Sequence, residues 1–563
     1  MFRFLMHFFS ITPFTAFLIL VYTIILVILK NKTSKKIWCL LCCVPLMVSI
    51  IHFMVYYVPH NPTFLKVYAF MYVGSLIIAL IPFIYNKKVL CNVISYISIF
   101  IVFGCFIMTM FETINFESVH NLSYYNYTDS FKKTINILKK EYVLNKHKEI
   151  DYDYLYNKYY PSIEEAQKNK DAQLYYKTMF EFSKNFKDGH FHFGIWDEDL
   201  EKLVQKYEFV NSYANRDYGF GSIVLSDGNI AAIGVEKHSE AYAKGLRNGM
   251  IITKKDGEDV RQILNNITTP LDPFPVYEDE KIFNSLFVFA QGNEEIRVSF
   301  LDEDENENTI TVKSTDNINS RALNMYYALT DTVDLDNLTT RMLDEDTGYI
   351  YIAHEYYSPF KGALGYIIDD SSYLTKVVDK KLEELKSKGM TNLIIDLRGN
   401  VGGYLTESEA IASLFTKNTS FVAKIAKYNS DLFDKSYLRG NGKYADLPVT
   451  VLVNSNTKSA GDCLAYLLSQ NFNTKIVGYT TTNNSAQSIG GIIFLSGGES
   501  YITYPIYRTY DDENKIFIDP SSNGEATIKL TDRVEFTQDN IVDILLNNNT
   551  SDYLLRYVLD KYN

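Results

Sequence analysis

The chain has 563 residues and a formal net charge of −12 at pH 7, and this length favours several domains over a single core. Eight of its 55 Lys and Arg precede Met110, so the part after Met110 has 47 basic residues and 67 acidic ones. Because this part is acidic, nucleic acid is not expected as a partner. Five of the six cysteines also precede Met110 and only Cys463 follows, which argues against a disulfide-bonded scaffold.

The first 110 residues contain no Asp or Glu and are dominated by apolar side chains. Each apolar run is long enough to cross a hydrocarbon layer of about 30 Å at about 1.5 Å per residue. A buried helical bundle is the less favoured alternative. We therefore predict four transmembrane helices within residues 1–111, at about Phe4 to Leu29, Ile37 to Val58, Phe64 to Tyr85 and Val89 to Met110.

Basic residues predict the orientation of these helices. The first and third loops, KNKTSKK and NKK, carry six of the eight basic residues, and the second loop carries only Lys66. The positive-inside rule places the two basic loops in the cytoplasm. We expect a multi-pass cell-membrane protein, in contact with the lipid bilayer, whose part after Met110 is extracytoplasmic.

Residues 112–200 are predicted to form a helical cap and the start of the following domain. Apolar side chains recur at helical spacing, and the segment ends in an Asp188-Gly189 turn followed by an alternating strand. His190 lies at this turn, where it is either a structural histidine or a general base. His192 points to the same face of the strand and is the competing candidate.

Residues 205–315 resemble a PDZ domain. The similarity lies in IAAIGVEKHSEAYAKGLRNGMIITKKDGEDV, and it implies that a peptide is bound along a sheet edge with its terminal carboxylate on backbone amides. The candidate carboxylate loop is GFGSI, with Gly219, Phe220 and Gly221 as substrate-binding residues. A purely structural β domain is the alternative. An insertion at Asn265 to Gln291 enlarges this module.

Residues 316–563 have the pattern of a parallel α/β core. An amphipathic helix at Tyr373 to Lys388 precedes a buried strand at Leu393 to Leu397, which ends in a loop containing Gly399, Gly402 and Gly403. A second buried strand and a helix follow. The strand is predicted at Val449 to Val453, and the helix at Ala460 to Ser469.

Ser459 lies in the turn between that strand and that helix. A serine in such a turn has its hydroxyl raised off the sheet, and the amides that open the helix can stabilise an oxyanion. The same serine could instead cap the helix by accepting hydrogen bonds from the first-turn amides. The residue pattern alone leaves both functions open.

The runs KLEELKSKGMTNLIIDLRGNVGG and VTVLVNSNTKSAGD resemble the carboxyl-terminal processing peptidases, the tail-specific proteases of serine peptidase family S41. The resemblance extends from about Tyr124 to the end of the chain. It implies that Ser459 is the nucleophile, that the amides of Gly402 or Gly403 and of Ala460 form the oxyanion hole, and that Asp396 and Arg398 hold the glycine loop by ion pairing. Asp462 stands where the family has glutamate.

The fold class that follows is a multi-domain chain. It comprises the four-helix transmembrane region, an α+β and α/β peptidase domain with a ClpP/crotonase-like core, and the inserted PDZ-like β domain. The implied function is that of a membrane-anchored, extracytoplasmic serine endopeptidase acting on protein or peptide substrates.

One departure from the family concerns the general base. The lysine-dependent branch has a lysine about twenty-five residues after the nucleophile, and this chain has Asn484 at that position. Serine needs an assisting base. Lys458 is a weak alternative because neighbours in a turn diverge, and Cys463, a conceivable alternative nucleophile, is better explained as a small core residue.

The D-G-H stretch at His190 resembles the tricorn-like branch of the same clan, which implies a Ser459–His190 pair. In that branch an acid near the carboxyl terminus orients the histidine. Asp519 is the candidate here, and Glu525 fits less well. No metal or organic cofactor is indicated. The alternative function is an inactive S41-like pseudoprotease that binds peptide or protein C-termini. The sequence does not predict the oligomeric state.

Overall fold

A computed structural model describes the chain from β-strand 1 to the last helix, with gaps. The described residues are 118–196, 202–203, 206–315, 320–330, 337–355, 372–546 and 552–562. The predicted domain boundaries 1–111, 112–200, 205–315 and 316–563 remain predictions. The four predicted transmembrane helices lie outside the described residues.

The membrane part of the predicted fold class is corrected. Within the described ranges, no helix is both long enough and apolar enough to cross a membrane. The longest of these helices, Tyr152–Asn169, has 18 residues but carries acidic and basic side chains along its length. The prediction of a multi-pass membrane localisation is contradicted by the same finding, and the peptidase-domain part of the fold class is what the structure supports.

Thirteen α-helices are described. In chain order, α1 to α13 are Tyr127–Glu141, Tyr152–Asn169, Ala172–Ser183, Glu208–Asn211, Glu240–Ala243, Val260–Asn266, Tyr277–Ser285, Ser320–Thr330, Ser372–Ser387, Leu405–Ser413, Ala460–Ser469, Ile541–Leu546 and Tyr553–Tyr562.

Nineteen β-strands are described in the same ranges. In chain order, β1 to β19 are Ser118–Asn121, His192–Ile195, Gly221–Val224, Ile230–Ile233, Ile251–Lys255, Glu258–Asp259, Glu295–Leu301, Glu307–Lys313, Leu338–Met342, Thr347–Ile352, Asn392–Asp396, Thr419–Lys427, Asp434–Arg439, Val449–Leu452, Thr474–Gly478, Ile489–Phe494, Ser500–Pro505, Tyr507–Tyr510 and Asp532–Arg533.

The central sheet has the strand order β19-β15-β14-β11-β10-β9. All its pairs are parallel except that of β9 with β10. Strands β10 and β14 are buried throughout, as expected for strands covered on both faces. Because Asp396 of β11 pairs with Leu452 of β14, the loops that follow these two strands begin side by side. The glycine loop and the serine turn therefore share one edge of the sheet.

A second sheet brings in the histidine segment. Its order is β1-β16-β17-β2, and His192 at the start of β2 pairs with Thr503 of β17. The helical cap, α1 to α3, packs beside it through buried aromatic side chains, with the rings of Phe180 in α3 and Phe193 in β2 6.1 Å apart. Because β16 begins at Ile489, this sheet also anchors residues 483–488, which approach His190.

The β domain has the order β3-β4-β5-β7-β8, so β3 is an edge strand. A PDZ domain would add a peptide at such an edge. Here the outward amide of Val224 donates to Ser285 Oγ at 2.8 Å, and the Ser222 hydroxyl donates to the Ser285 carbonyl at 2.6 Å. The end of α7, in the predicted insertion, thus occupies the edge, and the PDZ assignment stays a prediction.

The carboxyl-terminal helix is tied to the glycine loop by a buried arginine. Arg398 binds Asp396 of β11 and also binds Asp552, with distances of 2.9 Å and 2.5 Å to the two Asp552 oxygens. Asp552 in turn accepts the Leu555 amide of α13. The ion pair of Asp396 and Arg398 was expected from the family resemblance, whereas Asp552, 154 positions away, was not.

We predict that Asp552→Ala destabilises the chain by about 1–3 kcal/mol, because it removes two charge-assisted hydrogen bonds from a largely buried guanidinium that keeps Asp396 as a partner. Urea denaturation followed by circular dichroism measures the change. Asp560→Ala, at an exposed position of the same helix, is the control and should stay within about 0.5 kcal/mol of wild type. Equal stabilities for the two variants would show that the ion pair of Arg398 with Asp552 does not stabilise the fold.

Candidate active site

Ser459 lies between β14 and α11 in a backbone conformation that is unusual for a residue with a side chain. Its φ is 60° and its ψ is −122°, and its side chain makes no capping hydrogen bond to α11. Positive φ in a non-glycine residue is strained, and such strain is concentrated at functional sites. The hydroxyl is therefore not used as a helix cap, which was the competing function for this serine.

Asp462 holds the backbone at the start of the helix. It is the third residue of α11, and its carboxylate accepts the backbone amide of Ser459, as the acid of a capping box does. It also accepts the amides of Asn484 at 2.8 Å and Ser485 at 3.0 Å. Burial raises the pKa of Asp462 to about 6, and hydrogen bonds from Thr482 and these three amides limit the rise.

The glycine loop contacts the serine turn directly. A Cβ on Gly402 would lie 2.6 Å from Ser459 Cβ and 3.0 Å from the Ala460 nitrogen, and Gly402 has φ 94°. Only glycine fits this position. The Gly402 amide donates to Asn400 Oδ1 at 2.8 Å. In the described part of the chain, the Gly403 amide donates to no acceptor, and neither does the Ala460 amide. Of the two predicted glycines, Gly403 therefore has the available amide.

His190 is buried and fixed on two sides. Its backbone amide donates to Asp188 Oδ1 at 2.8 Å, and its Nδ1 is 2.6 Å from the Gln487 carbonyl oxygen. Because a carbonyl only accepts, Nδ1 must carry the proton, which leaves Nε2 as the basic nitrogen of the neutral ring. Burial lowers the pKa of His190. A general base needs this tautomer.

A chain of hydrogen bonds joins the histidine loop to the serine turn. The Gly189 amide donates to Ser485 Oγ at 2.9 Å, and Ser485 donates its own amide to Asp462. The Asn483 amide donates to the Thr457 carbonyl at 2.8 Å. Among the described residues, no direct hydrogen bond joins Ser459 to His190. The two loops are thus held against a common third segment, residues 483–487.

Within the described residues, no hydrogen bond or ion pair joins Asp519 to the His190 ring. Its carboxylate is buried and lies 3.6 Å from Lys148 Nζ. Burial raises its pKa well above the ordinary value, and the nearby charge of Asp188 adds to the rise. The orienting group on Nδ1 is the Gln487 carbonyl, a backbone atom with no sequence signature. Glu525, the second candidate acid, is exposed.

Three other candidate residues are buried or make contacts away from the Ser459 turn. Asn484, at the family's lysine position, is buried and accepts the Thr527 and Ile528 amides at 2.7 Å. Cys463 is buried, and burial raises its pKa well above the ordinary value, which disfavours the thiolate. His192 Nδ1 lies 2.5 Å from Asp272, in the insertion of the β domain.

The proposed peptide-binding loop is closed in this structure. Phe220 is fully buried and packs against Phe289, and the Gly219 amide donates to Asp217 Oδ1 at 2.8 Å. A Cβ on Gly221 would lie 3.1 Å from Met325 in α8. Binding of a carboxylate at Gly219, Phe220 and Gly221 would require this packing to open.

Glu355 is a buried acid behind the glycine loop. Its Oε1 accepts Asn400 Nδ2 at 2.8 Å, and its backbone amide donates to the Gly402 carbonyl at 3.2 Å. Burial raises the pKa of Glu355 to about 8. The protonated acid is therefore the form that supports the loop at neutral pH.

We predict that Glu355→Gln is more stable than wild type and that the difference grows between pH 5 and pH 8. The unfolded chain loses this proton near its ordinary pKa of 4.5, whereas the folded chain keeps it until about 8. Wild-type stability therefore falls over that interval, by at most about 1.4 kcal/mol per pH unit, and levels off above it.

Urea titrations of both proteins at pH 5, 7 and 9 measure this difference. Glu535→Gln, at an exposed position, is the matched control and should show no such trend. A stability difference between wild type and Glu355→Gln that is constant with pH would show that Glu355 ionises normally in the fold.

Part of the chain is similar to a known protein family. Residues 360–520 match the model of Peptidase family S41. A carboxyl-terminal-processing protease of Synechocystis sp. is 30% identical over 156 residues, which are 27% of this chain and 35% of that protein. The carboxy-terminal processing protease CtpB of Bacillus subtilis is 32% identical over 121 residues, 21% of this chain and 25% of the relative. The chain thus spans about a third or less of these relatives.

Among solved structures, mature CPAF complexed with lactacystin matches with a TM-score of 0.48 and 12% identity, covering 77% of this chain and 97% of that one. The tricorn protease matches with a TM-score of 0.33 and 15% identity, covering 77% of this chain and 36% of that one. The predicted resemblance to the S41 carboxyl-terminal processing peptidases is confirmed over residues 360–520.

Proposed function

We propose that this chain is a serine endopeptidase that cleaves protein or peptide substrates, with Ser459 as nucleophile and His190 as general base. The observation that carries the proposal is that the helix after Ser459 does not use the serine hydroxyl, while the His190 ring is held in the tautomer that a base needs. The Ser459 side chain makes no capping bond to α11, Asp462 holds the Ser459 amide, and the Gln487 carbonyl fixes His190 with Nε2 unprotonated.

In the proposed reaction, Ser459 Oγ attacks the substrate carbonyl while His190 Nε2 takes the hydroxyl proton. The imidazolium that forms keeps its Nδ1 hydrogen bond to the Gln487 carbonyl. The amides of Gly403 and Ala460 stabilise the oxyanion of the tetrahedral intermediate. His190 then gives its proton to the leaving amine, and the same residues act on water to hydrolyse the acyl-enzyme.

The low pKa of His190 suits this role. Burial favours the neutral ring, so at neutral pH the base is ready to accept a proton. No lysine takes part in the scheme. The buried side chain of Asn484 holds residues 527 and 528 instead.

We predict that a fluorophosphonate probe labels Ser459 in the full-length protein. Ser459→Ala should abolish labelling, and His190→Gln should slow it by at least about 10³-fold, because an unassisted serine is a poor nucleophile. In-gel fluorescence over time gives the rate, and a tryptic digest followed by mass spectrometry locates the adduct. Circular dichroism checks that each variant is folded.

His238→Ala, at an exposed position of the β domain, is the control and should label at the wild-type rate. Loss of labelling in His192→Ala but not in His190→Gln would reassign the base. A folded wild-type protein that is not labelled would support the pseudoprotease function, in which the chain only binds peptide C-termini.

A further inference from the structure

A cavity of about 300 Å³ lies beside the candidate active site. Lys458, which precedes Ser459, and Gly189, which precedes His190, both line it. The cavity therefore adjoins the place where a substrate bond would lie between the nucleophile and the base.

The cavity has an apolar floor and a charged rim. His192 and Asp272, which pair at 2.5 Å, have side chains that are 44% and 43% exposed, so they form the rim. The floor is buried and mostly aromatic, and it comprises Phe180, Phe191, Phe193, Phe209, Leu271 and Phe274.

Three separate segments build this floor. Phe180 comes from α3 of the helical cap, Phe193 from β2, and Leu271 from the insertion in the β domain. The insertion, which the family resemblance left without a role, thus forms one wall next to the active site. Its rim contact with β2 holds that wall in place.

The carboxylates that reach the cavity are already engaged. Asp188 accepts the His190 amide and the Tyr142 hydroxyl, and Asp272 is bound to His192. A lysine or arginine side chain entering the cavity would lose its hydration and meet the positive charge of Lys458, and Asn483 Oδ1 is a neutral acceptor that only partly compensates. An apolar side chain would gain free energy from burial against the aromatic floor.

We propose that this cavity is a specificity pocket that receives one large apolar side chain of the substrate, aromatic or leucine-like, next to the cleaved bond. The proposal rests on the proposed peptidase function. The cavity volume is at the low end of the range for ligand pockets, about 300–1,000 Å³, which suits a single side chain rather than a longer segment.

The test uses internally quenched alanine-based peptides that contain one Phe, one Leu, one Lys or none of these, with the full-length protein. We expect kcat/KM for the Phe and Leu peptides to exceed that for the alanine peptide by about tenfold or more, with cleavage next to the large residue. Mass spectrometry locates the cleaved bond. The Lys peptide should gain nothing over alanine.

Leu271→Trp and Val210→Phe, which fill the cavity from two walls, should each lower the Phe-to-Ala ratio of kcat/KM by about tenfold. Asn265→Trp, at an exposed position of the same insertion, should leave the ratio unchanged. Thermal denaturation verifies folding, and two filling variants guard against misfolding of either one. Equal ratios in wild type and both folded variants would overturn the pocket.

A binding measurement separates this proposal from the peptidase function. Fluorescein-labelled Phe and Ala peptides are titrated into Ser459→Ala, with and without Leu271→Trp, and followed by anisotropy. Preference for Phe that disappears with Leu271→Trp supports the pocket even if wild type hydrolyses nothing, in which case only the peptidase function fails. Hydrolysis without any side-chain preference would contradict the specificity pocket but would agree with the proposed peptidase function.

Discussion

The candidate site depends on one buried carboxylate. Asp462 accepts backbone amides from the serine turn and from residues 484 and 485 at the same time, so a single acidic group joins two loops. Satisfying several amides with one carboxylate offsets the cost of burying its charge. Ser459 lies in a strained turn beside this acid, and its side chain makes no capping bond to the helix.

The same junction determines where the histidine lies. Ser485, held by Asp462, binds Gly189, and Gln487, two residues further on, binds the His190 ring. A side chain at position 189 would displace two side chains of this segment, since a Cβ on Gly189 would lie 1.6 Å from Asn483 Oδ1 and 2.6 Å from Ser485 Oγ. Residues 483–487, which include Asn484 at the position where the family resemblance led us to expect a lysine, thus hold the histidine loop in this chain.

Sequence patterns were informative wherever local chemistry decides the structure. The helix predicted at Tyr373 to Lys388 is found at Ser372–Ser387, and that predicted at Ala460 to Ser469 has those bounds. Buried strands and glycine turns leave local signals of this kind. The contact of the Gln487 carbonyl with His190 leaves no such signal, because a backbone acceptor has no sequence signature. The ion pair of Arg398 with Asp552 leaves none either, because it joins positions that are far apart in the sequence. The transmembrane prediction rested on long apolar runs without acidic residues, and it is corrected because no helix in the described ranges is long and apolar enough to cross a membrane.

The most direct test of the account is a crystal structure of the protein after reaction with a fluorophosphonate. We predict phosphorus bonded to Ser459 Oγ, the phosphoryl oxygen within hydrogen-bond distance of the Gly403 and Ala460 amides, and His190 Nε2 within about 3.2 Å of the adduct. The Gln487 carbonyl should still bind Nδ1. An adduct on Ser459 whose nearest basic group is Lys458, with the His190 ring turned away, would contradict the proposed Ser459–His190 mechanism.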